Sequence, residues 1–345
     1  MIPIQNLYYL LCYAWNTLEE AERVAIDTEQ YQKMPDLFAK VLINGMWILL
    51  KRGLDQDYQL QEQEVAGVKG KLNLSATLKT NRLYLQKTTC TYDEYSADVP
   101  SNQLLAACLR QLVTMPDLDK SLKADLQKIQ RMLPPLSSIP FHPRSFERVK
   151  LRPDQRLYVF LLHVCRIIAE NLLPTENPGR FQFVDFRRDE RKMNRVFESF
   201  LFRFFQKEQS QYWVRREQIR WQWQATQDPQ HLNYLPLMET DLTLESPARK
   251  IIIDAKYYRY PLGGSRFEAD KLVSANLYQL SSYLLNQEHR DERSKVATGM
   301  LIYPQTEAPL RLDYRFGEHD ILVRSVNLNA HWREIHGELL GLLKG

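Results

Sequence analysis

The sequence predicts an α/β protein of two domains, and three observations lead to this prediction. At 345 residues the chain is longer than one typical domain. Five prolines crowd into residues 134–153, where no regular element would tolerate them. Beyond residue 150 the pattern runs helix, three strands, helix, strand, which is the order of a mixed sheet with helices packed on it. We therefore expect a mixed α+β domain over residues 1–150 and a mixed sheet flanked by helices over residues 151–345.

The hydrophobic period changes twice within the first domain. Apolar residues recur at helical spacing near both of its ends, which indicates helices that face a core. Between them short alternating runs indicate a small β unit, in which Gly67 and Gly70 mark a turn. The predicted elements are helices over 4–15 and 36–51, strands within 58–92 that include the runs 71–74 and 83–85, and helical structure over 102–133.

The second domain begins with two helical patterns and continues with short strands. Pro174 and Pro178 close the first helix, because proline cannot continue one. The strands are recognised by alternation or by short apolar runs, and the later helix by its apolar period. The predicted elements are helices over 157–173 and 190–207, strands over 212–224, 237–245 and 250–257, a helix over 268–286 and a strand over 299–303.

The composition excludes several classes of protein. With 44% hydrophobic and 26% charged residues the chain falls in the globular range and outside the disordered one. Four cysteines without a CxxC pair predict neither a zinc site nor a disulfide framework. No apolar run approaches the ~20 residues that span a bilayer, and the first residues lack the features of a secretory signal. We therefore expect a cytoplasmic protein with no membrane segment, and the net charge of +4 is compatible with nucleic-acid binding without indicating it.

Two aspartates are predicted to face each other on neighbouring strands. The segment from Ser246 to Arg249 reads as a turn, with Pro247 at its second position. In a hairpin centred on this turn Asp241 lies opposite Asp254, with the two carboxylates ~5 Å apart on one face. Such a like-charge pair is unfavourable unless a cation or a proton lies between its members, so the pattern indicates a site for a hard cation.

Lys256 follows Asp254 by two residues and therefore points to the same face of the strand. Ile251, Ile253 and Ala255 form an apolar set on the opposite face, so one side of the strand is predicted to be apolar and the other reactive. Two carboxylates and a lysine with this spacing are typical of PD-(D/E)xK nucleases, in which Mg²⁺ and the ammonium act on a phosphodiester. The alternative is that these residues are solvated strand caps or ordinary ion pairs.

Three further residues are candidates for supporting roles. Glu198 is a lone acid within an apolar helical stripe, from where it can supply another metal ligand, and the alternative is an exposed helix glutamate. Gln279 and Tyr283 are four residues apart and share a helix face, from where they can bond phosphate oxygens or brace the lysine. The alternative for this pair is ordinary packing.

An aromatic and basic run precedes the two aspartates. It contains Trp213, Arg215, Arg216, Arg220, Trp221 and Trp223. Such a run can bind DNA through stacking and phosphate contacts. A strand that packs on its helices would show a similar pattern, so both interpretations stay open here.

The chain resembles the McrC subunits of McrBC modification-dependent restriction systems from end to end. The resemblance is carried by the opening segment Ile2–Trp15, by Gly67–Leu72, by Leu237–Asp241, by Ile253–Tyr258 and by Asn276–Leu280. It implies a nuclease centre at the Asp of the Thr-Asp motif and at the Asp and Lys of the Asp-Ala-Lys motif, which are Asp241, Asp254 and Lys256 here. The residue before Asp241 is Thr240, whereas the general nuclease pattern has proline there; McrC-like proteins also have threonine at this position. The family pattern is looser at the helix that contains Glu198.

The resemblance also implies a partner and a substrate. McrC-like subunits work with McrB, a hexameric GTP-dependent AAA+ motor that reads methylated cytosine in double-stranded DNA. The resemblance places the docking and GTPase-stimulating region of this chain in residues 1–150. Gly67–Leu72 lacks the spacing of a P-loop, so any nucleotide chemistry is expected to come from the partner.

The leading hypothesis is therefore a Mg²⁺-dependent endonuclease subunit. In it Asp241, Asp254 and the carbonyl of Ala255 bind the metal, Lys256 assists the attacking water, and Glu198, Gln279 and Tyr283 support them. Two other hypotheses stay open: a non-catalytic adaptor that activates a GTPase, and a stand-alone DNA-repair nuclease.

Overall fold

The computed structural model describes residues 2–80, 87–175, 181–258, 262–263, 271–306 and 308–344. Its α-helices are α1 Ile4–Ala14, α2 Leu18–Val24, α3 Met34–Arg52, α4 Leu74–Thr80, α5 Pro100–Thr114, α6 Lys120–Met132, α7 Arg156–Glu170, α8 Glu190–Glu208, α9 Ser274–Leu285, α10 Glu292–Lys295 and α11 Trp332–Gly341. Its strands are β1 Asp57–Ala66, β2 Lys71–Leu72, β3 Lys87–Ser96, β4 Leu172–Pro174, β5 Phe181–Phe183, β6 Trp213–Arg215, β7 Gln218–Ile219, β8 Met238–Glu239, β9 Leu242–Glu245, β10 Lys250–Ala255, β11 Leu262–Gly263, β12 Lys271–Leu272, β13 Thr298–Pro304, β14 Arg311–Phe316 and β15 His319–Val326. Among these helices none is both long and apolar enough to cross a membrane.

The chain divides into two compact units that do not follow the predicted boundary near residue 150. One unit combines Met1–Glu19 with Asp185–Gly345, and the other is Glu20–Val184. The proline-rich stretch is therefore not the boundary, because α7, which follows it, packs against α3 and α5 in the second unit. The first residues lie with the carboxyl-terminal half, because α1 packs on α8 and the Asn6 side chain donates to the carbonyls of Leu328 and Ala330, both at 2.8 Å.

The unit of residues 20–184 combines packed helices with a small sheet. The predicted helix over 36–51 is confirmed as α3. Helical structure over 102–133 is also present, but as α5 and α6, because Pro116 lies between them and the Asp119 side chain caps α6 by accepting from Ser121 N and Leu122 N.

The small sheet of this unit is a long antiparallel hairpin with a short third strand. β1 pairs with β3 over ten positions, from Asp57 opposite Ser96 to Ala66 opposite Lys87, and β2 pairs with β3. The predicted turn is confirmed, since Gly67 and Gly70 have φ values of 82° and 69°.

The predicted run 71–74 is a strand only as far as Leu72. The Asn73 side chain accepts from Ala76 N and thereby starts α4. The predicted run 83–85 lies outside the described residues.

The unit of residues 1–19 and 185–345 contains the predicted mixed sheet, in the order β14-β15-β13-β10-β9-β6. β10 and β15 run parallel to β13, while β9 and β14 are antiparallel to their neighbours. Both α8 and α9 pack on β10. All six residues of β10 are buried, so the strand is covered on both faces and not on one as predicted. Ile252, on the face of Asp254, belongs to a core cluster with Leu280 and Leu284 of α9.

Two predicted strands of this unit are shorter than expected and interrupted. The strand over 212–224 is divided into β6 and β7, and it ends at Ile219. Beyond this point the Trp221 indole donates a hydrogen bond to the Pro236 carbonyl. The strand over 237–245 is divided into β8, which pairs with β7, and β9. The division occurs at Thr240, whose N–H donates to the Glu217 carbonyl at 3.0 Å.

Three predicted elements have different ends. The helix over 157–173 ends at Glu170, because Leu172–Pro174 pairs with β5. The strand over 250–257 ends at Ala255. The helix over 268–286 begins only at Ser274, because Lys271–Leu272 pairs with β11, and residues 268–270 lie outside the described residues.

A glycine allows α9 to approach the sheet closely. A Cβ on Gly299 of β13 would lie 2.9 Å from Leu284 Cδ1 and 3.0 Å from Leu280 Cδ2. We expect Gly299→Val to lower the free energy of unfolding by about 1–3 kcal/mol, because the added methyl groups overpack this contact. The control is Gly337→Ala in α11, where an added Cβ meets nothing within 4 Å and should change stability by less than about 1 kcal/mol. Urea denaturation measures both variants, and a valine variant as stable as wild type would contradict the close approach.

Candidate active site

The β9–β10 hairpin places Asp241 beside Asp254. Its register pairs Glu245 with Lys250 and Leu242 with Ile253, which confirms the predicted register. Asp241 lies directly before β9, and its Oδ2 accepts a hydrogen bond from Ala255 N at 2.7 Å. The side chain of one aspartate is thereby bonded to the backbone next to the other.

Asp254 is a fully buried carboxylate without an aligned hydrogen bond. Among the described residues neither of its oxygens has a hydrogen-bond partner, although the Lys256 ammonium approaches Oδ2 to 2.9 Å as an ion pair. Burial, and after it the charge of Asp241, raises the pKa of Asp254 to about 7. Two buried acceptor oxygens with so little compensation are unfavourable by themselves, and a hard cation would satisfy them.

The pKa values of Lys256 and Asp241 are both shifted by burial and by the neighbouring charges. Burial alone would lower the pKa of Lys256, but the carboxylates of Asp254 and Asp241 outweigh it and hold that pKa above its ordinary value. Burial raises the pKa of Asp241, although the Ala255 N–H and the charges of Lys256 and Arg216 oppose it. Lys256 is therefore an ammonium at neutral pH, and the two aspartates compete for one positive charge.

Glu198 lies on α8 within the electrostatic reach of this group. It is partly buried, so the alternative of an exposed helix glutamate is wrong. Burial, and then the charge of Asp241, raises its pKa. Asn194 donates to Glu198 Oε1 and accepts from Tyr257 N at 2.8 Å, which ties α8 to the end of β10. Within the described residues no three His, Cys, Asp or Glu side chains are grouped closely enough to hold a metal by themselves.

Gln279 and Tyr283 form a hydrogen-bonded pair on α9. Gln279 Nε2 donates to the Tyr283 hydroxyl at 2.6 Å, and that hydroxyl donates to the Glu239 carbonyl at 2.9 Å. Burial raises the pKa of Tyr283 to about 12, so the hydroxyl keeps its proton. The pair braces the backbone two residues before Asp241.

Glu217, which the sequence analysis did not identify, also anchors this segment and belongs to a second group of charged side chains. The Glu217 N–H donates to Thr240 Oγ1 at 3.0 Å, directly before Asp241. The Glu217 carboxylate is buried and lies 3.0 Å from the buried Lys250 ammonium. Arg290 also pairs with Glu217. No pattern in the sequence distinguishes Glu217 from an exposed acid that follows two arginines.

The predicted aromatic and basic run does not form one continuous surface strand. Trp213 remains exposed, with the Arg215 guanidinium 4.9 Å from its ring centroid. The rings of Trp221 and Trp223 contact each other in a tilted arrangement, with their centroids 4.9 Å apart, beyond the end of β7. The Arg216 guanidinium instead lies 5.6 Å from the ring centroid of Phe202 on α8.

Comparisons with known proteins agree with the fold and extend over most of the chain. A family model described as "McrBC 5-methylcytosine restriction system component" matches residues 4–304. Over 342 residues the chain is 32% identical to the "Type IV methyl-directed restriction enzyme EcoKMcrBC" of Escherichia coli (strain K12), covering 99% of this chain and 97% of that protein.

The fold is also similar to that of a solved structure. It is described as "Refined half-complex from tetradecameric assembly of Thermococcus gammatolerans McrB AAA+ hexamers with bound McrC", with a TM-score of 0.56, 15% identity, and coverage of 96% of this chain and 75% of that one. At this level of identity the similarity concerns the fold alone. The family match and the curated relative lead to one conclusion: the chain belongs to the McrBC family of 5-methylcytosine restriction system components.

Proposed function

We propose that this chain is the nuclease subunit of a modification-dependent restriction complex and hydrolyses phosphodiester bonds of DNA that contains modified cytosine. The observation that carries this proposal is the buried Asp254 carboxylate, which lies beside Asp241 and Lys256 without an aligned hydrogen bond. Such a group is costly to a fold and is expected where a cation and a phosphate bind. The relative in Escherichia coli is named as a methyl-directed restriction enzyme, which supports the same reaction.

The residues present fit Mg²⁺ in a PD-(D/E)xK arrangement. Mg²⁺ commonly binds through one or two carboxylates together with waters and substrate phosphates, so Asp241 and Asp254 suffice without a third acid. Asp241, Asp254 and the Ala255 carbonyl would hold the metal, with Glu198 near enough to influence it electrostatically. When bound, the metal would stabilise the charge on the phosphate and make a bound water more acidic.

The protein groups have distinct roles in this mechanism. Lys256 is held in its charged form by Asp254 and Asp241, so it donates hydrogen bonds to the attacking water or to the developing negative charge and does not act as a base. Gln279 and Tyr283 position the segment before Asp241 through the Glu239 carbonyl. The expected product is a nicked or broken DNA strand.

We propose further that the chain works bound to an McrB-like AAA+ GTPase hexamer and stimulates it. The Thermococcus gammatolerans structure of similar fold is described as McrB AAA+ hexamers with bound McrC. The β1–β3 hairpin offers a surface for such a partner, because Tyr58, Leu60 and Tyr95 are 69%, 73% and 60% exposed and the two tyrosine rings lie 5.2 Å apart. Exposed apolar groups on a long hairpin are typical of a protein interface.

The test uses the purified chain with its McrB-like partner, GTP and Mg²⁺ on methylated and unmethylated plasmids. We expect cleavage of the methylated plasmid alone, and only when the partner and GTP are present. Cleavage by the chain without a partner would support a stand-alone nuclease instead. Stimulated GTP turnover without any cleavage would support a non-catalytic adaptor.

A further inference from the structure

The backbone of Arg216 runs alongside the segment that carries Asp241. On one side of it Arg215 is paired with Thr243 in the sheet. On the other side the Glu217 N–H and carbonyl bond to Thr240 through its Oγ1 and N–H, both at 3.0 Å. Arg216 is thus held between two anchors beside residues 241–242, and its backbone position does not depend on its own side chain.

The Arg216 side chain lies on the side of the sheet that α8 covers. Its Cζ is 5.6 Å from the ring centroid of Phe202, which is one helical turn after Glu198. The Arg203 guanidinium lies 5.5 Å from the centroid of the same ring but donates a hydrogen bond to Gln206 at 2.7 Å. The aromatic ring therefore supports two cations, one of which is already bonded to a neighbour.

Arg216 is exposed, and in the part of the chain that the structure describes no carboxylate pairs with it. Its neighbour Arg215 pairs with both Glu217 and Glu245. Nevertheless its backbone lies beside the segment of Asp241, and its guanidinium lies over a ring one helical turn from Glu198. A guanidinium that lies at the edge of an acidic cluster without joining it is available to an anionic ligand.

We propose that Arg216 binds a backbone phosphate of DNA at the opening of the Asp241–Asp254–Lys256 cluster, supported from below by the Phe202 ring. This inference rests on the proposed nuclease function and names one contact of its substrate. A guanidinium offers two parallel N–H donors that match two phosphate oxygens, and the aromatic ring fixes its plane. The contact positions the phosphate beside the carboxylates and offsets their repulsion of it.

The matched experiment compares Arg216→Ala, Arg216→Lys and Arg203→Ala in complexes with the McrB-like partner, GTP and Mg²⁺. With saturating methylated DNA we expect Arg216→Ala to cleave about 10- to 100-fold more slowly than wild type. Arg216→Lys keeps the positive charge but lacks the two parallel N–H donors, so its cleavage rate should lie between those of wild type and Arg216→Ala. Arg203→Ala removes a cation from the same ring and should stay within about twofold of wild type, as expected for an exposed charge. Thermal midpoints equal to wild type identify variants that are folded.

The salt dependence of DNA binding distinguishes a phosphate contact of Arg216 from a merely structural role. In an Asp254→Asn background, in which we expect no cleavage, the salt dependence of DNA binding is compared with and without Arg216→Ala. Loss of one phosphate contact should reduce the slope of log Kd against log salt by about 1, while Arg203→Ala should leave it unchanged.

The outcomes separate this inference from the proposed function. If Asp254→Asn abolishes cleavage but Arg216→Ala cleaves as fast as Arg203→Ala with an unchanged salt slope, the Arg216 contact is wrong and the nuclease proposal stands. If wild type does not cleave, or Asp254→Asn cleaves normally, the proposed function itself fails. Equal losses for the two arginine variants would indicate a diffuse positive surface and would also overturn the specific contact.

Discussion

Asp254→Asn is expected to slow DNA cleavage by the partner-bound protein by about 10³-fold or more while the protein stays folded. The amide keeps the shape of the side chain but loses the charge that would bind a hard cation and that attracts the Lys256 ammonium at 2.9 Å. Cleavage is measured with excess complex over methylated plasmid. Stimulated GTP turnover in the same samples shows whether the complex has assembled.

A matched control for this variant is Asp313→Asn on β14. The Asp313 carboxylate also pairs with a cation, Arg324, but the Asp313 side chain is 63% exposed. Removing its charge should therefore leave the cleavage rate within about twofold of wild type. Asp254→Asn with wild-type cleavage would show that the candidate site is placed wrongly. Equal losses in the two variants would show that the effect is not specific to the site.

The same substitution should stabilise the metal-free protein at neutral pH. Burial, followed by the charge of Asp241, raises the pKa of Asp254 to about 7, so the folded protein retains a proton that the unfolded chain releases near pH 4. The contribution of this proton to the free energy of unfolding is fully present below about pH 4, the pKa of the unfolded chain. It is lost as the pH rises toward the pKa of the folded protein. Asparagine does not ionise and avoids the loss. Thermal midpoints in EDTA should therefore differ increasingly between variant and wild type as the pH rises, and a constant difference would contradict the buried charge.

Lys250→Met is expected to lower the free energy of unfolding by about 3 kcal/mol, at the lower end of the range for a broken buried ion pair. The substitution leaves the buried Glu217 carboxylate without the ammonium that lies 3.0 Å away. Arg290 and Arg215 still pair with Glu217 from more exposed positions, which keeps the loss from being larger. Guanidinium denaturation monitored by tryptophan fluorescence measures the change.

Two further variants make this result specific. Lys295→Met breaks the exposed pair with Glu292 and should change stability by less than about 1 kcal/mol. The double variant Lys250→Met with Glu217→Leu removes both buried charges and should recover part of the loss, because the remaining arginines can turn to solvent. If Lys250→Met is no more destabilising than Lys295→Met, the buried pair contributes little to the fold.

Local information in the sequence was sufficient to predict the geometry around the two aspartates. The turn at Ser246–Arg249 is four residues long and contains Pro247, so the register of the hairpin follows from counting outward. The alternation of a strand then relates Lys256 to Asp254 without tertiary information. Their roles in catalysis stay predictions.

Other features depend on contacts that no local pattern contains. Glu217 and Lys250 are 33 positions apart and become partners only when β6, β9 and β10 assemble. β14 was not predicted, because it is mostly exposed and carries charged residues where a core strand would be apolar. The unit boundary was misplaced, because prolines mark the end of regular structure and say nothing about which helices pack together.

The hydrogen bond from Asn6 of α1 to Leu328 has a consequence for the order in which the protein folds during synthesis. Asn6 bonds to the carbonyl of Leu328, which lies 322 positions later in the chain. The ribosome therefore completes residues 20–184 as a continuous segment long before Asn6 can meet Leu328. In nascent chains residues 20–184 should therefore fold first, whereas the unit with the candidate site can be completed only after Leu328 has been synthesised.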